Sequence, residues 1–316
     1  MSVARAQGYP DLSSTGASVY TPQIYALELL EKFYMSTVLS GISNTKYEGQ
    51  ITKHGDKVII RQRPDVTVFD YVKGMNLRDK RQTPESTTVE LDIDKAKAYC
   101  LNIDDIDKIQ NDIDALAEWA EDGGKQLAIA IDNSVLNAVD SDAAAANTGA
   151  TAGAISASYD MGVAGTPVVI TKANALDVIQ DMCSVLGEQN RPDTNRWLTL
   201  PGWWINLLNK GDLRRADVTG ESTNAVIRNG YKGQIANFDI YESNNYTPYT
   251  DVAAGSVSCW SVLFGHKNAL TFASQLVKNR TFPDPDSFAT IMDGLQVYGY
   301  KVVDPASLGV CYATKG

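Results

Sequence analysis

The stretch from Asp104 to Val139 constrains the fold more than any other, because its apolar residues repeat with the three- and four-residue spacing of a helix. Asp104 suits the N-cap position, and acidic residues in the first turn complement the helix dipole. At about 1.5 Å per residue the helix would extend roughly 50 Å, which is longer than most single domains need. The sequence therefore predicts one long amphipathic helix with an apolar stripe made of Ile106, Ile109, Ile113, Leu116, Ala120, Leu127, Ile131 and Val135.

Gly123 and Gly124 lie in the middle of this predicted helix. Each glycine costs about 1 kcal/mol relative to alanine in a helix interior. The pair is therefore expected to mark either a bend or a point where another part of the chain comes close. A leucine in place of Gly124 should clash if the approach is close, and should stabilise the helix if it is not.

The spacing of apolar residues changes to two between Tyr47 and Cys100. Residues 57–61 and 66–72 predict strands, and apolar and polar residues alternate from Thr87 to Asp94. A polar tip, residues 73–84, separates these strands, so we interpret the segment as a long hairpin-like arm. Because isolated two-stranded ribbons are marginally stable in water, the arm is expected to lie on another surface.

A linker rich in Ala, Gly and Thr, residues 142–165, marks a domain boundary after the helix. Beyond it, helices and strands are mixed, which predicts an α/β domain. Before the hairpin-like arm, a small, polar N-terminus precedes a helix that is predicted to begin at Thr21 and end at Gly41. The remaining predictions are helices after Thr171 and Gly202, a polar loop at 211–230, and strands at 196–200, 234–241, 257–264, 294–303 and 308–313.

Composition argues against several classes of protein. The 316 residues carry a net charge of -10, which does not suit binding to nucleic-acid phosphates. The four cysteines are isolated from one another, so the sequence signals neither a zinc site nor a disulfide framework and fits a reduced, intracellular setting. No apolar run approaches the roughly 20 residues of a membrane-spanning helix, and the N-terminus lacks the apolar core of a signal peptide.

No set of residues forms a recognisable active site. His54 and His266 lack a neighbouring nucleophile or metal-ligand spacing, and we interpret both as solvated loop histidines. Residues 122–125 resemble a phosphate loop only faintly, and the acidic residues at the start of the helix lack the glycine and glutamate of a calcium loop. We therefore predict no catalytic residue, no cofactor and no metal site, and we place three tryptophans in the core: Trp197, Trp203 and Trp204.

The order of several segments resembles a tailed-bacteriophage major capsid protein of the Hong Kong 97-type fold. YEGQITKHGDKVIIRQRPDVTVFDYVKG is similar to the extended loop of that family, and LNIDDIDKIQND with ALAEWAEDGGKQLAIAIDNSVL is similar to its spine helix. RWLTLPGWWINLL and GQIANFDIYESNNYTP resemble the axial domain, and ATIMDGLQVYGYKVVDPASLGVCYA the closing strands of the peripheral domain. No single motif carries the resemblance, which depends on the order of all the segments.

The resemblance implies an α+β fold and a non-enzymatic structural protein. Such a protein assembles in the host cytoplasm into pentameric and hexameric capsomers, and then into the icosahedral head shell of the virion around double-stranded DNA. The regions implied are an N-terminal arm (1–45), an extended β loop leading into the peripheral domain (46–100), the spine helix of that domain (101–142), an axial domain (143–270) and closing strands of the peripheral domain (271–316).

The resemblance also implies partners. The N-terminal arm is too short to contain a scaffolding domain of ordinary size, so a separate scaffolding protein is implied. A portal, decoration proteins and DNA that is packaged without tight specific binding complete the set, and no membrane is involved. Two alternatives stay open: a bacterial nanocompartment shell, which a cargo-peptide pocket would distinguish, and a hydrolytic enzyme, against which the lack of a paired nucleophile and base argues.

Opposite charges are concentrated in two regions of this acidic chain. Basic residues outnumber acidic ones between Lys53 and Arg81, whereas Lys108 is the only basic residue between Asp104 and Asp122. The alternative is that both regions are merely solvated. Our hypothesis is that the two regions contact each other between neighbouring subunits, with Arg78, Lys80 and Arg81 on the extended loop and Asp112 and Glu118 on the helix.

Overall fold

The computed structural model describes residues 37–46, 57–64, 66–83, 85–106, 115–211 and 233–316. Three predicted segments lie wholly or largely outside these ranges: the arm of residues 1–19, the helix from Thr21 as far as residue 36, and the loop at 211–230 except for its first residue. The described helices are α1 (Leu39–Ile42), α2 (Ala115–Leu136), α3 (Ala175–Glu188) and α4 (Gly202–Lys210). None of them is both long enough and apolar enough to span a bilayer.

The described strands form three sheets. A two-stranded sheet pairs β1 with β2, a three-stranded sheet has the order β10-β11-β3, and a seven-stranded sheet has the order β4-β12-β9-β5-β7-β6 with β8 beside β9. The strands are β1 (Lys57–Arg61), β2 (Thr88–Asp92), β3 (Lys95–Asp104), β4 (Val168–Ile170), β5 (Arg196–Leu200), β6 (Gln234–Ile235), β7 (Phe238–Glu242), β8 (Tyr249–Asp251), β9 (Val257–His266), β10 (Leu270–Pro283), β11 (Ala289–Val302) and β12 (Leu308–Lys315).

Residues 101–104 are strand, not helix as the predicted region 101–142 required. They belong to β3, which pairs with β11 from Tyr298↔Lys95 to Ala289↔Asp104. The period-two placement of Tyr99, Leu101 and Ile103 explains the strand, because it turns these side chains to one face. Asp104 nevertheless accepts a hydrogen bond from the Ile106 N–H (2.8 Å), and residues 105 and 106 are helical. The predicted cap position is therefore confirmed, although the strand reaches it.

Helix α2 passes through both glycines without a break. A Cβ atom on Gly123 would lie 2.9 Å from the ring of Tyr99, whereas one on Gly124 would have no neighbour within 4 Å. The other side of the ring lies on Gly294, the cross-strand partner of Tyr99. The ring thus fills the space between α2 and the three-stranded sheet. The prediction of a close approach is correct for Gly123 and wrong for Gly124, where a Cβ atom has room.

Alanine substitution of the two glycines should change stability in opposite directions. Gly124→Ala is expected to stabilise the protein by about 1 kcal/mol, because it gains helix propensity without a clash. Gly123→Ala gains the same propensity but should lower the melting temperature, because the Tyr99 ring is confined by Gly294 and cannot move away. Thermal denaturation of the two variants measures the difference. Equal shifts in melting temperature would show that the ring does not limit the approach of the helix.

The core of the seven-stranded sheet lies on both of its faces. Leu198, Leu200 and Trp204 pack with α3 and α4 on one face, whereas Trp197 packs with α1 and the C-terminal half of α2 on the other. Trp197 and Trp204 are at most 2% exposed, and Trp203 packs against the first cluster, so the prediction of core tryptophans is confirmed. In the predicted apolar stripe of the long helix, Ile131 and Val135 are buried, but Ile106 is 61% exposed.

The last strand, in the region 271–316 where closing strands are expected, lies in the seven-stranded sheet. β12 pairs antiparallel with β9 and parallel with β4, so it belongs to the seven-stranded sheet and not with the closing strands β10 and β11. Its side chains explain this: Leu308 and Val310 enter one core cluster, whereas Cys311 and Ala313 enter the other. A strand that is apolar on both faces needs a sheet that is covered on both sides.

Two smaller predictions also need correction. The predicted strand 234–241 is a hairpin, because Ala236 and Asn237 adopt positive φ angles (49° and 65°) and turn β6 into β7. The helix predicted to end at Gly41 ends one residue later, at Ile42. The glycine is needed there for another reason: a Cβ atom would lie 2.6 Å from the ring of Tyr241.

Candidate assembly surfaces

The base of the extended loop is a short ribbon. β1 pairs with β2 from Lys57↔Asp92 to Arg61↔Thr88, and the predicted strand at 57–61 is confirmed. The inward side chains are buried in one cluster of Ile60, Leu91, Ile93 and Ala273, which attaches the ribbon to the three-stranded sheet. The ribbon is anchored further where Gln62 donates from Nε2 to the Val303 carbonyl oxygen (2.9 Å) and pairs through its backbone with Thr87 (2.8 Å).

Beyond this base, the described residues of the loop form no strand. The predicted strand at 66–72 is therefore wrong, because no backbone partner lies across from it. A single side chain takes the partner's place: Gln82 accepts a hydrogen bond from the Thr67 N–H (3.0 Å) and donates one to the Thr67 carbonyl oxygen (2.7 Å). The loop is thus extended, and few hydrogen bonds connect its two sides.

Apolar side chains along the loop face solvent. Val68 is 90% exposed, and Val66, Tyr71 and Val72 are each at least 64% exposed. Several exposed apolar side chains on one short segment are typical of a site of interaction with another molecule. The exposure therefore agrees with the expectation that the extended loop lies on another surface.

The tip of the loop presents the three predicted contact cations. Gly74 (φ 86°) and the hydrogen bond from Met75 N–H to the Val72 carbonyl oxygen (2.9 Å) turn the chain, and a short 3-10 turn follows at Arg78–Lys80. Arg78, Lys80 and Arg81 are all exposed, and none forms an ion pair with any residue that the structure describes. Three cations are thus available at the tip.

The predicted acidic partners lie on and before α2. Glu118 is exposed, next to Trp119, which is 46% exposed, whereas Asp112 lies outside the described residues. Glu121 already pairs with Lys125 one turn along the helix (2.6 Å). Within one chain, no ion pair among the described residues joins the loop tip to Glu118. The contact between the two regions therefore stays a prediction for neighbouring subunits.

Sequence reasoning missed a second exposed apolar site, the turn between β10 and β11. Phe288 is 86% exposed, and the Asp105 N–H donates to its carbonyl oxygen (2.9 Å), which places it next to the segment of residues 105 and 106. Asp284 shapes the turn by accepting hydrogen bonds from Ser287 Oγ (2.5 Å) and the Asp286 N–H (3.0 Å), and these bonds lower the pKa of Asp284. The turn signal Asp-Pro-Asp-Ser was in the sequence, but only the fold brings Phe288 to Asp105.

The residues considered for metal binding or catalysis form no such site in the described ranges. In the described ranges, no group of three or more His, Cys, Asp and Glu residues is placed to hold a metal ion. His54 lies outside those ranges. The interpretation of His266 as a solvated histidine is wrong, because it ends β9 only 8% exposed, and burial, helped by the Arg196 charge, lowers the pKa of its imidazole.

A cavity of about 620 Å³ lies on the three-stranded sheet and is lined in part by Cys100, Lys278, Arg280 and Asp293. The hydrogen bond to Asp293 raises the pKa of the exposed Cys100 thiol, which disfavours the thiolate. The Asp293 carboxylate is occupied by Arg280, which donates to it from Nε (3.0 Å) and from a terminal nitrogen (2.8 Å). The cavity therefore lacks an activated nucleophile.

The chain is similar to known phage proteins. A family model described as "Phage capsid protein" matches residues 86–310, which is more than half of the chain. No curated protein matches it. A structure from Mycobacterium phage Che8 is 27% identical, superposes with a TM-score of 0.71, and the match covers 92% of this chain and 96% of that one.

Two further solved structures share the fold at lower identity. The capsid structure of cyanophage P-SCSP1u is 18% identical with a TM-score of 0.66, covering 98% of this chain and 100% of that chain. The asymmetric unit of the bacteriophage PhiM1 mature capsid is 15% identical with a TM-score of 0.64, covering 98% and 97%. The extended loop, the long helix and the two main sheets thus occur together in a known arrangement, and the chain belongs to the phage capsid protein family as a tailed-phage major capsid protein with an α+β fold of the Hong Kong 97 type.

Proposed function

We propose that this capsid protein self-assembles into pentameric and hexameric capsomers, and that these close into an icosahedral shell around double-stranded phage DNA. The observation that carries the proposal is the extended loop, whose exposed apolar residues and free cations have no partner within the described part of the subunit. Structures of the same fold include a mature capsid of another phage. Assembly in the host cytoplasm and location in the virion head follow from this proposal.

In the assembled shell, each extended loop lies on a neighbouring subunit. Burial of Val66, Val68, Tyr71 and Val72 supplies the apolar part of the contact, at roughly 25 cal/mol per Å² of apolar surface removed from water. The cationic tip is attracted to the acidic face that includes Glu118, which steers the loop to its site before the apolar contact closes. Attraction between exposed charges weakens with salt, so assembly should be slower at high ionic strength.

Other partners follow from the architecture of such a shell. A separate scaffolding protein directs assembly, a portal occupies one vertex, and decoration proteins bind the finished surface. The DNA is enclosed and not tightly held, which agrees with a net charge of -10. A nanocompartment shell would use the same fold, and a bound cargo peptide would reveal it, but no feature of the described surface favours that alternative.

Expression of the chain with and without its neighbouring phage genes tests the proposal. Negative-stain microscopy and size-exclusion chromatography are expected to show rings or closed shells in at least the co-expressed sample, where a scaffolding protein is present. A protein that stays strictly monomeric in both samples would contradict the proposal. A variant in which glycine and serine replace residues 66–72 is the matched control, and it should remain folded without forming shells, because those residues make few contacts within the subunit.

A further inference from the structure

Asp132 is a buried carboxylate at the point where three parts of the chain meet. It belongs to α2, and only 1% of the residue is exposed. Its Oδ1 accepts hydrogen bonds from the backbone N–H groups of Val38 (3.1 Å) and Leu39 (3.0 Å), and its Oδ2 accepts one from Asn245 Nδ2 (2.5 Å). No cationic side chain in the described ranges forms an ion pair with it. The charge is therefore balanced only by hydrogen bonds.

These three donors come from segments that are far apart in sequence. Val38 and Leu39 begin α1, whereas Asn245 lies in residues 243–247, the loop that follows β7. Helix α1 in turn touches both main sheets. Gly41 packs against the ring of Tyr241 on β7, and Asn44 pairs with β10 through hydrogen bonds to Leu270 (2.8 Å) and Phe272 (3.2 Å). Helix α1 thus contacts both main sheets and is also hydrogen-bonded to α2.

Two neighbouring amides, Asn133 on α2 and Asn137 just after its end, hold the loop but not α1. Asn133 donates from Nδ2 to the Asn245 carbonyl oxygen (2.7 Å), and Asn137 accepts a hydrogen bond from the Thr247 N–H at Oδ1 (3.0 Å). Neither of these amides forms a hydrogen bond with Val38 or Leu39. Asp132 is therefore the polar side chain of α2 that joins both segments, and Asn137 provides a control that affects the loop alone.

Stability alone does not explain a charge in this position. A buried carboxylate without a cation is costly, and burial raises the pKa of Asp132 although its three hydrogen bonds oppose that shift. A neutral residue would fill the same volume at lower cost. What the charge adds is directionality, because hydrogen bonds to a carboxylate are shorter and stronger than neutral ones.

We propose that Asp132 is a positioning residue that locks α1 and residues 243–247 onto α2, and so sets the angle between the three-stranded and the seven-stranded sheets. The curvature of a shell depends on that angle. This last consequence rests on the proposed function, whereas the lock itself is a property of the single subunit. Asp132 should therefore matter more for the shape of shells than for the melting of the subunit.

Amide hydrogen exchange of the full-length subunit tests the lock without requiring assembly. Asp132→Ala is expected to speed exchange at Val38 and Leu39 at least about tenfold, because it removes hydrogen bonds to a charged acceptor. Asn137→Ala should speed exchange at Thr247 and leave Val38 and Leu39 unchanged. Unchanged exchange at Val38 and Leu39 in Asp132→Ala, or equal acceleration there in Asn137→Ala, would overturn the proposal.

A pH profile separates the charge from the shape of the side chain, and Asp132→Asn provides the comparison if the alanine variant does not fold. Because its pKa is raised, charged Asp132 lowers stability at neutral pH, and this cost disappears as the pH falls through the folded pKa. The described core cluster around the C-terminal half of α2 contains five phenols, those of Tyr241, Tyr246, Tyr298, Tyr300 and Tyr312. The charge of Asp132 acts on Tyr246, and Lys46 is exposed at the end of its segment.

The melting temperature of the wild type should therefore rise relative to that of Asp132→Asn between pH 7 and about pH 4.5. If the difference in melting temperature between the two proteins does not change with pH, the proposal that Asp132 is a buried charge is overturned. Shells of Asp132→Asn, made with the scaffolding protein, should vary more in diameter than wild-type shells when they are measured by negative-stain microscopy. Shells of unchanged diameter and shape would overturn the role in curvature and leave the proposed shell function intact.

Discussion

Reversing Arg78, Lys80 and Arg81 to glutamate together should abolish closed shells while the subunit stays folded. All three side chains are exposed at the tip of the extended loop and form no ion pair with described residues of their own chain. Their replacement therefore breaks no ion pair in the described part of the subunit. A single exposed pair is worth only about 0.2–1 kcal/mol, so no one substitution should suffice. The triple reversal changes the charge of every loop tip by six units, and repulsion from the acidic face acts at every contact of the shell.

The control for this variant must carry the same change in net charge elsewhere. Lys172, Lys267 and Lys315 are exposed lysines outside the extended loop, and their joint reversal to glutamate should leave assembly intact. Reversal of Asp112 and Glu118 to lysine in the triple variant should partly restore shells, because it restores attraction. Circular dichroism checks folding, and microscopy at low and moderate salt checks assembly. Normal shells from the triple variant would show that apolar contacts, such as those of Val68 and Met75, hold the loop.

The elements that the sequence predicted best are those whose pattern is local. β1 and β5 occur at the predicted residues 57–61 and 196–200, because short runs of β-branched and aromatic residues favour a strand at their own position in the sequence. Residues 66–72 have the same composition but no strand, since a strand needs a partner that this part of the subunit does not supply. β3 and β12 depend on pairing with strands far away in sequence, which a periodic pattern does not reveal.

The candidate assembly surfaces were only partly visible in the sequence. The opposite charges of the loop tip and the long helix could be read directly, because charge needs no fold to be counted. The hydrogen bond between Phe288 and Asp105 and the role of Asp132 could not, because each joins residues that are more than 90 positions apart. Gly123 and Gly124 were identical by pattern, and only the Tyr99 ring distinguishes them.

Gly299→Ala should both destabilise the subunit and misdirect the extended loop. Gly299 lies on β11 opposite Ala273, and a Cβ atom there would fall on the carbonyl oxygen of Asp92, at the end of β2. This neighbour is backbone, so it cannot move aside as a flexible side chain would. Overpacking of this kind typically costs about 1–3 kcal/mol, and we expect the upper end of that range. The ribbon β1–β2 must lift away from the three-stranded sheet to make room.

Lifting the ribbon should separate Gly299→Ala from ordinary core variants. The buried cluster of Ile60, Leu91 and Ile93 loses contact with Ala273, and the extended loop then leaves the subunit at a different angle. Gly187→Ala is the matched control, because a Cβ atom on that helical glycine has no neighbour within 4 Å, and it should stabilise the subunit. Denaturant unfolding measures stability, and microscopy after co-expression with the scaffolding protein measures assembly. If Gly299→Ala forms normal shells despite a lower free energy of unfolding, the angle of the loop is set by its contact with the neighbouring subunit and not by this close approach.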